Sequence, residues 1–335
     1  MNQHSVVSSP LPAMEFTGRH VWYGENFSQN NSWIVELDAP SRKLIHLLGD
    51  ENVYSEVYEK ELTNLLKPIR EEVETGRGFV LLKGLGIEGF EKDRKLAIFK
   101  RLADHFGIPI MQNLHGDTFV AVQDEGYSKT DYNSQQGRGS KSSHALKYHT
   151  DGSPGFFGLT PDIVVQSCSQ PATSGGESAI VSAYTLHNHL LRESRSLLER
   201  LYKPFHWDRR AELRPEDSPT LVAPVFTFQN GRLLTRHCRF YNVKAHEVMD
   251  LPLSESDDEA LKQLDLLAAR DSYELRFRLE EGDTLIFNNQ FVLHRRDAFS
   301  NSADSSRCLY RFSLRFFSPE PSWSTFISQE FSAER

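Results

Sequence analysis

The chain has 335 residues, 38 of them basic and 46 acidic, so its formal charge is −8. That balance gives no positive footprint for nucleic acid or an anionic membrane, and it favours a small-molecule partner. The three cysteines are odd in number and lack CxxC spacing, which argues against a disulfide framework and a zinc ribbon. No signal-peptide pattern or long apolar run is present, so we expect a soluble, cytoplasmic protein. The oligomeric state stays open, a homo-oligomer included.

The amino-terminal part of the chain predicts a tail and a flap. Residues 1–15 are rich in Ser and Pro, which predicts a disordered tail. Residues 16–50 carry scattered aromatic side chains, typical of a flap on a main body. Nothing in the length demands two domains, so we expect residues 16–335 to form one.

The next segments alternate between helix and strand. Apolar residues recur at three- and four-residue spacings from Ser55 to Thr75, which predicts a helix, and GFVLLKGL then predicts a strand. A second amphipathic helix is predicted from Asp93 to His105. The polar stretch from about 124 to 143, rich in Gly, Ser and Gln, indicates a mobile loop beside the active site, with plain disorder as the alternative.

The carboxy-terminal half is dominated by short strands and turns. It predicts strands in PDIVVQSCSQP and ESAIVSA, a β-hairpin at Asn230-Gly231, helices over Ala183–Tyr202 and Glu255–Arg270, and two final strands in CLYRFSLRFF. The pattern favours a mixed α+β fold with an antiparallel barrel or double-sheet sandwich.

A candidate metal site begins in KYHTDG. In a strand, residues two apart point to the same face, so His149 and Asp151 can reach one metal ion. His294 follows 145 positions later in FVLHRRD. Two imidazoles and one carboxylate suit ferrous iron and leave three coordination positions open for a chelating cosubstrate and oxygen. The His-x-Asp triplet alone is a weak signal, and solvated or structural side chains are the alternative.

Two arginines follow the second histidine. Arg307 and Arg311 lie 13 and 17 positions after His294. A guanidinium offers a planar fork of donors that grips a carboxylate through two hydrogen bonds. The alternative is a pair of surface charges on a strand.

Taken together, KYHTDG with the downstream SGGESAIV, then EGDTLIFNNQFVLHRRDAF, then RCLYR resemble the TauD/TfdA family of iron(II)- and 2-oxoglutarate-dependent dioxygenases. The resemblance spans about residues 60 to 318. It implies a double-stranded β-helix (jelly roll, cupin-like) core with flanking helices. It also implies iron, 2-oxoglutarate and O2 as cofactor and cosubstrates, with the metal held by His149, Asp151 and His294.

The same resemblance assigns the cosubstrate site. Arg307 would bind the distal carboxylate of 2-oxoglutarate, and Arg311 would share that carboxylate or meet an acidic group of the substrate. Ser178 stands where the family often has a threonine that helps to bind the carboxylate. Because the carboxylate of Asp151 is present, the resemblance favours oxygenation over halogenation.

Substrate recognition is less well defined by the sequence. Gln112 and Asn113 lie where the family commonly lines its substrate pocket, and Arg239 is a further candidate. Available cations near the metal would suit an anionic or zwitterionic substrate. His187 and His189 fall in a helical pattern that turns them apart, so we expect both on the surface. In a strand, His237 and Cys238 would point to opposite faces.

The resulting hypothesis is a dioxygenase that hydroxylates an aliphatic C–H bond of a small polar or anionic metabolite, such as an amino acid or a natural-product intermediate. Succinate and CO2 would be released. The alternatives are a desaturase or cyclase of the same family, a non-catalytic sensor of 2-oxoglutarate or iron, and a zinc hydrolase that would not need Arg307.

Overall fold

The computed structural model describes residues 10–50, 55–113, 115–127, 138–153, 160–210, 217–303 and 305–317. The α-helices in this part of the chain are α1 (Ala39–His46), α2 (Glu56–Glu74), α3 (Lys92–Asp104), α4 (Ala183–Glu193), α5 (Arg195–Leu201), α6 (Arg239–Val248) and α7 (Glu255–Ala268). None of these helices is both long and apolar enough to cross a membrane.

The helices begin and end close to the predicted positions, with one exception. The Ser55 hydroxyl caps α2 by accepting a hydrogen bond from the N–H of Tyr58 at 3.1 Å, as the sequence pattern indicates. The single helix predicted over Ala183–Tyr202 is wrong. The backbone of Ser194 (φ −152°, ψ 56°) leaves the helical region, so α4 ends there and α5 begins.

The strands are β1 (Ile34–Glu36), β2 (Phe79–Lys83), β3 (Ile108–Pro109), β4 (Phe119–Gln123), β5 (Leu146–His149), β6 (Ile163–Gln170), β7 (Ser174–Gly175), β8 (Ser178–Ser182), β9 (Phe205–Asp208), β10 (Thr220–Ala223), β11 (Phe226–Gln229), β12 (Arg232–Thr235), β13 (Leu275–Phe277), β14 (Thr284–Asn288), β15 (Val292–Arg296), β16 (Phe299–Ser300) and β17 (Cys308–Arg315). The β11–β12 hairpin turns at Asn230-Gly231 as predicted, with both residues at positive φ. CLYRFSLRFF was predicted to form two strands, but it forms the single strand β17.

Two sheets make up the body of the protein. The main sheet has seven strands in the order β1-β2-β14-β6-β17-β3, and β4 also pairs with β17. The second sheet has the order β13-β8-β15-β5. Apart from the parallel β1–β2 pair, every pairing in the two sheets is antiparallel. The expected mixed α+β class is therefore confirmed.

The main sheet is buried on both faces, which explains its almost continuous apolar strands. In β2, Phe79 and Leu81 pack in the cluster shared with the second sheet. Val80 and Leu82, which alternate with them, pack in a second cluster with side chains of α2 and α3. Helices therefore cover one face of the main sheet, and the second sheet covers the other.

The amino-terminal segment is part of the core rather than a flap. The indoles of Trp22 and Trp33 are buried, and Trp22 Nε1 donates to the carbonyl of Arg77 at 2.9 Å. A Cβ at Gly24 would lie 1.9 Å from the carbonyl oxygen of Glu274, so no side chain fits there. Of the predicted tail, residues 1–9 lie outside the described residues, and Glu15 forms an ion pair with Arg192 at 2.8 Å.

The central part of the predicted mobile loop, residues 128–137, lies outside the described residues. Its two described ends are tied to each other. The N–H of Glu125 donates to the carbonyl of Lys141 at 3.0 Å, and their side chains form an ion pair at 3.1 Å. The loop therefore starts and ends at one place, immediately before β5.

Candidate metal centre

The second sheet brings together the three residues predicted to bind metal. His149 is the last residue of β5, and it pairs across the sheet with His294 of β15. Asp151 follows in the turn after β5. One ligand atom from each side chain lies within 4.8 Å of the other two, and no other such cluster occurs among the described residues. The predicted triad is therefore assembled by register between two strands and one turn.

Neighbouring groups orient these ligands. His149 Nδ1 lies 2.8 Å from the carbonyl oxygen of Lys147, so this nitrogen donates and Nε2 is left for a metal. The backbone of Asp151 is held by Asn289, whose Oδ1 accepts from the Asp151 N–H at 2.8 Å and whose Nδ2 donates to the Asp151 carbonyl at 2.9 Å. The sequence analysis missed Asn289. Its signal was the run of three amides, Asn288 to Gln290, between two apolar strands.

The charge state of the cluster suits a cation. Burial lowers the pKa of His294 to about 3 and also lowers the pKa of His149, so both imidazoles are neutral at physiological pH. Burial alone would raise the pKa of Asp151, but Arg311 and the two histidines outweigh it, and the net pKa is lowered. Asp151 Oδ2 is buried without a hydrogen-bond partner. Such an oxygen is costly unless a cation compensates it, so this donor set fits a divalent metal.

The cluster opens onto a cavity of about 1020 Å³. Nine lysine and arginine residues line this cavity, against four aspartate and glutamate residues, although the chain as a whole is acidic. The site is therefore a basic pocket in an acidic protein. Such a pocket favours anionic ligands.

Arg307 lies on the wall of this cavity just before β17. Its side chain is 4% exposed, and its guanidinium packs over the Phe299 ring at 4.9 Å. Nη1 has no hydrogen-bond partner, and no carboxylate lies within ion-pair distance in the described part of the chain. Burial lowers the pKa of Arg307 to about 10, which leaves it charged at neutral pH. A buried, uncompensated cation of this kind is suited to a ligand carboxylate.

Arg311 occupies the position on β17 that the spacing predicts, but it contacts a metal ligand. Its Nη1 donates to Asp151 Oδ1 at 2.8 Å, and its Nε donates to Gln112 Oε1 at 3.2 Å. Gln112 Nε2 in turn donates to the carbonyl oxygens of Thr118 and Arg311, at 3.0 and 3.2 Å. The predicted role of Gln112 as an available substrate amide is not supported, because both its donor hydrogens are in use.

The remaining predicted site residues all line the cavity, in different bonding states. Ser178, the first residue of β8, is buried on the same cavity as Arg307. Asn113 uses its amide inside its own turn, donating to Asp117 Oδ2 at 2.7 Å and accepting from the N–H groups of His115 and Asp117. Arg239, the first residue of α6, is paired with Asp258. Neither Asn113 nor Arg239 is thus an unengaged donor.

Lys147 is a cavity residue that the sequence analysis overlooked. It lies in β5 two positions before His149, so both side chains belong to the same face of the strand. No carboxylate lies within ion-pair distance of its ammonium among the described residues. Its signal in the sequence was its place in KYHTDG, two positions before the first metal-binding histidine.

Two expectations for histidines were wrong. His187 and His189 do point apart on α4, but His187 is fully buried, with Nε2 2.9 Å from the Tyr202 hydroxyl. His189 is partly buried, with Nδ1 2.9 Å from the Tyr273 hydroxyl. A second helix, α5, covers this side of α4, so the helical period could not reveal it.

His237 and Cys238 do not lie in a strand, because β12 ends at Thr235. The His237 carbonyl accepts the N–H of Thr150, which diverts the backbone toward the turn that carries Asp151. The His237 ring is buried, and its Nε2 lies 2.6 Å from Asp265 Oδ1. This histidine is therefore a structural partner of that turn.

Cys168 of β6 is a buried thiol in electrostatic contact with Arg307. Burial raises the pKa of Cys168 to about 12, although the Arg307 guanidinium acts in the opposite direction. Its Sγ donates a weak hydrogen bond to the carbonyl of Leu279 at 3.7 Å. The thiol is therefore protonated at physiological pH.

Comparison with protein families gives one match over most of the chain. A model described as "Taurine catabolism dioxygenase TauD, TfdA family" matches residues 42–312. FR-33289 synthase of Streptomyces rubellomurinus (strain ATCC 31215) is 29% identical over 311 residues, which cover 88% of each chain. Uridine-5′-phosphate dioxygenase of Amycolatopsis sp is 28% identical over 182 residues, which cover 48% of this chain and 64% of the relative.

Solved structures share the fold at lower sequence identity. Asparagine oxygenase, in complex with Fe(II), 2S,3S-3-hydroxyasparagine and succinate, superposes with a TM-score of 0.62 at 20% identity, covering 84% of this chain and 93% of that one. The non-haem iron oxygenase OrfP, in complex with Fe and α-ketoglutaric acid, gives a TM-score of 0.60 at 15% identity, covering 84% and 94%. The two-sheet architecture is thus shared with non-haem iron oxygenases.

Proposed function

The chain belongs to the TauD/TfdA dioxygenase family and is an enzyme that uses ferrous iron, 2-oxoglutarate and O2; we propose that it hydroxylates an aliphatic C–H bond of a small anionic amino acid or natural-product intermediate. One observation carries this proposal. Two neutral imidazoles and one ionised carboxylate converge at a basic cavity whose wall holds the uncompensated Arg307. Succinate and CO2 are the co-products.

His149, Asp151 and His294 would hold the iron, and Arg307 would pair with the distal carboxylate of 2-oxoglutarate. When bound, these two groups supply the oxidant that removes hydrogen from the substrate. The chain's own task is to hold and shield them. Register between β5 and β15 sets the distance between the imidazoles. Arg307 and the Ser178 hydroxyl would fix one end of the cosubstrate, while burial keeps bulk water from the Arg307 guanidinium.

The finer architecture follows from the two sheets. We propose that the main sheet and the β13-β8-β15-β5 sheet form a double-stranded β-helix, with the metal at its mouth. Residues 16–335 would then form one catalytic domain. Supporting this, the cluster of buried side chains that contains Phe79 of the main sheet also contains Tyr148 and Leu293 of the second sheet.

The substrate's charge is proposed from the cavity. Lys147 lies on the same strand face as His149 and has no carboxylate partner among the described residues, so it can anchor an anion near the metal. The name of one relative, uridine-5′-phosphate dioxygenase, specifies a phosphorylated substrate, which agrees with a basic pocket. A carboxylate, sulfonate or phosphorus-based anion on the substrate would meet this requirement.

The type of oxidation is the least constrained step. Hydroxylation is our proposal, because it needs only that one C–H bond points at the metal. A desaturase or cyclase would use the same residues, since the outcome depends on substrate pose within about an ångström. The presence of all three metal-binding side chains argues against a non-catalytic sensor.

The first test is an anaerobic spectrum. Ferrous iron and 2-oxoglutarate are added to the purified protein, and the weak visible charge-transfer band of the chelate is recorded, with His149→Ala as the control. A band that disappears in His149→Ala supports the metal and cosubstrate assignments. Bound iron without a band would contradict the assignment of Arg307.

The second test separates the dioxygenase from a zinc hydrolase. Succinate release is screened with anionic amino acids, sulfonates and phosphate esters, with neutral analogues of the same size as matched controls. We expect turnover only with anions. Hydrolysis that depends on zinc and survives in Arg307→Ala would overturn the dioxygenase reading.

A further inference from the structure

Gln112 occupies a point between the substrate cavity and the metal centre. Its side chain lines the cavity, yet its two donor hydrogens go to the backbone carbonyls of Thr118 and Arg311, and its oxygen accepts from Arg311 Nε. An amide used in this way gives a neighbouring guanidinium one orientation. Gln112 therefore acts on Arg311 before it can act on any ligand.

Arg311 transmits that orientation to the metal-binding carboxylate. Its Cα is fixed in β17 by pairing with Val120 on one side and Gln166 on the other. From there Nη1 donates a charge-assisted hydrogen bond to Asp151 Oδ1 at 2.8 Å. The other carboxylate oxygen, Oδ2, is buried, has no hydrogen-bond partner, and lies 3.8 Å from His294 Nε2. One oxygen is occupied by the protein, and one is left over.

We propose that Gln112 and Arg311 form a carboxylate brace that holds Asp151 so that it offers a metal only Oδ2. The inference rests on the proposed function, because it takes the triad to be the iron site. A carboxylate without such a partner can rotate and chelate through both oxygens. That would consume a coordination position that the cosubstrate or oxygen needs. In this reading Gln112 is a positioning residue rather than a substrate ligand.

The brace also constrains where the substrate's anion can bind. To pair with a substrate anion, Arg311 would have to leave Asp151 Oδ1, which would expose a buried carboxylate oxygen without a partner. Lys147 carries no such obligation. The two basic groups closest in sequence to metal-binding roles therefore divide the work, with Arg311 serving the metal and Lys147 serving the substrate.

The test is metal binding without cosubstrate or substrate. Purified full-length protein is titrated anaerobically with Co²⁺, a spectroscopic stand-in for ferrous iron, and affinity and the visible d–d spectrum are recorded. Gln112→Met keeps the size of the side chain but removes its hydrogen bonds. We expect it to weaken Co²⁺ binding by about tenfold and to alter the spectrum, the usual effect of losing a group that orients a metal ligand. Asn113→Ala, at the adjacent amide, should change neither.

A double-variant cycle distinguishes the brace from a general loss of packing. Arg311→Lys keeps the charge but cannot reach Gln112 and Asp151 together. If Gln112 acts through Arg311, the variant carrying both Gln112→Met and Arg311→Lys should bind Co²⁺ no more weakly than Arg311→Lys alone. Independent, multiplying effects would overturn the proposal.

Two further outcomes complete the design. Unchanged Co²⁺ affinity and spectrum in Gln112→Met, with a raised KM for substrate, would overturn the brace and restore Gln112 as a substrate amide. Should Gln112→Met fail to fold, Gln112→Asn, one methylene shorter, replaces it with the same expectation. If wild-type protein binds Co²⁺ but releases no succinate with any substrate, the proposed function fails while the brace is still tested by the affinities.

Discussion

His149 and His294 lie directly opposite each other on the antiparallel strands β5 and β15, with ring centroids 4.2 Å apart. The separation of the two imidazoles is thus set by strand register, and a shift of one residue would turn one ring to the other face of the sheet. The metal centre is consequently as rigid as the sheet that carries it.

Replacing either imidazole should abolish metal-dependent chemistry. In His149→Ala and in His294→Ala we expect Fe²⁺ affinity to fall by more than about 100-fold, since a direct ligand contributes more than the groups that orient it. Calorimetric titration under argon measures this. His189→Ala, a histidine outside the cavity, is the control. Retained Fe²⁺ affinity in both site variants would refute the triad.

Replacing Arg307 should affect the cosubstrate selectively. Arg307→Lys keeps a charge but loses the two-pronged donor geometry, and we expect a loss of about 2–5 kcal/mol in 2-oxoglutarate binding. That corresponds to a rise of at least about 30-fold in KM for 2-oxoglutarate. Steady-state succinate release at varied 2-oxoglutarate measures it. An unchanged KM would show that the carboxylate binds elsewhere.

Gly176 provides a test of the packing behind Arg307. Its φ is +77°, and an added Cβ would meet Phe299 Cβ at 3.3 Å and Arg307 Nε at 3.4 Å. Gly176→Ala should cost about 1–2 kcal/mol of stability from the left-handed backbone and also raise KM for 2-oxoglutarate. Gly89→Ala, at φ +80° with nothing within 4 Å, should lose similar stability without the KM effect. Equal KM values in the two variants would contradict the prediction.

Removing the charge of Lys147 should weaken substrate binding and leave the cosubstrate unaffected. For Lys147→Met we expect KM for an anionic substrate to rise about tenfold, roughly the value of one charge-assisted hydrogen bond. KM for 2-oxoglutarate should stay constant, and the dependence of substrate KM on salt should become weaker. If the salt dependence persists undiminished, another cation anchors the substrate.

His187 should make the protein less stable in mild acid. Burial lowers its pKa in the folded state to about 3, whereas an unfolded histidine titrates near pH 6.5. The unfolded state therefore takes up a proton first as pH falls below that value. At pH 5 this should cost about 2 kcal/mol. In His187→Gln, urea unfolding at pH 7.5 and pH 5.0 should show a stability loss smaller by that amount; identical losses in the two proteins would refute it.

The sequence predicted the site wherever local pattern determines position. His149 and Asp151 are two residues apart beside a strand, and Ser55 caps its own helix, so both could be found from neighbours in sequence. The contact between Arg311 and Asp151 joins residues 160 positions apart, and spacing alone cannot show which of several acceptors an arginine meets. The buried ring of His187 depends on the packing of α5 against α4, which helical periodicity does not encode.

The state of Cys168 bears on how long such an enzyme survives its own chemistry. Oxidation of cysteine starts from the thiolate, and the burial of Cys168 keeps its sulfur protonated even beside the cationic Arg307. A sulfur atom in the wall of an oxygen-using centre would otherwise be the first casualty of uncoupled turnover. Its placement inside β6 lets the protein keep a soft, well-packed side chain there at little risk of self-inactivation.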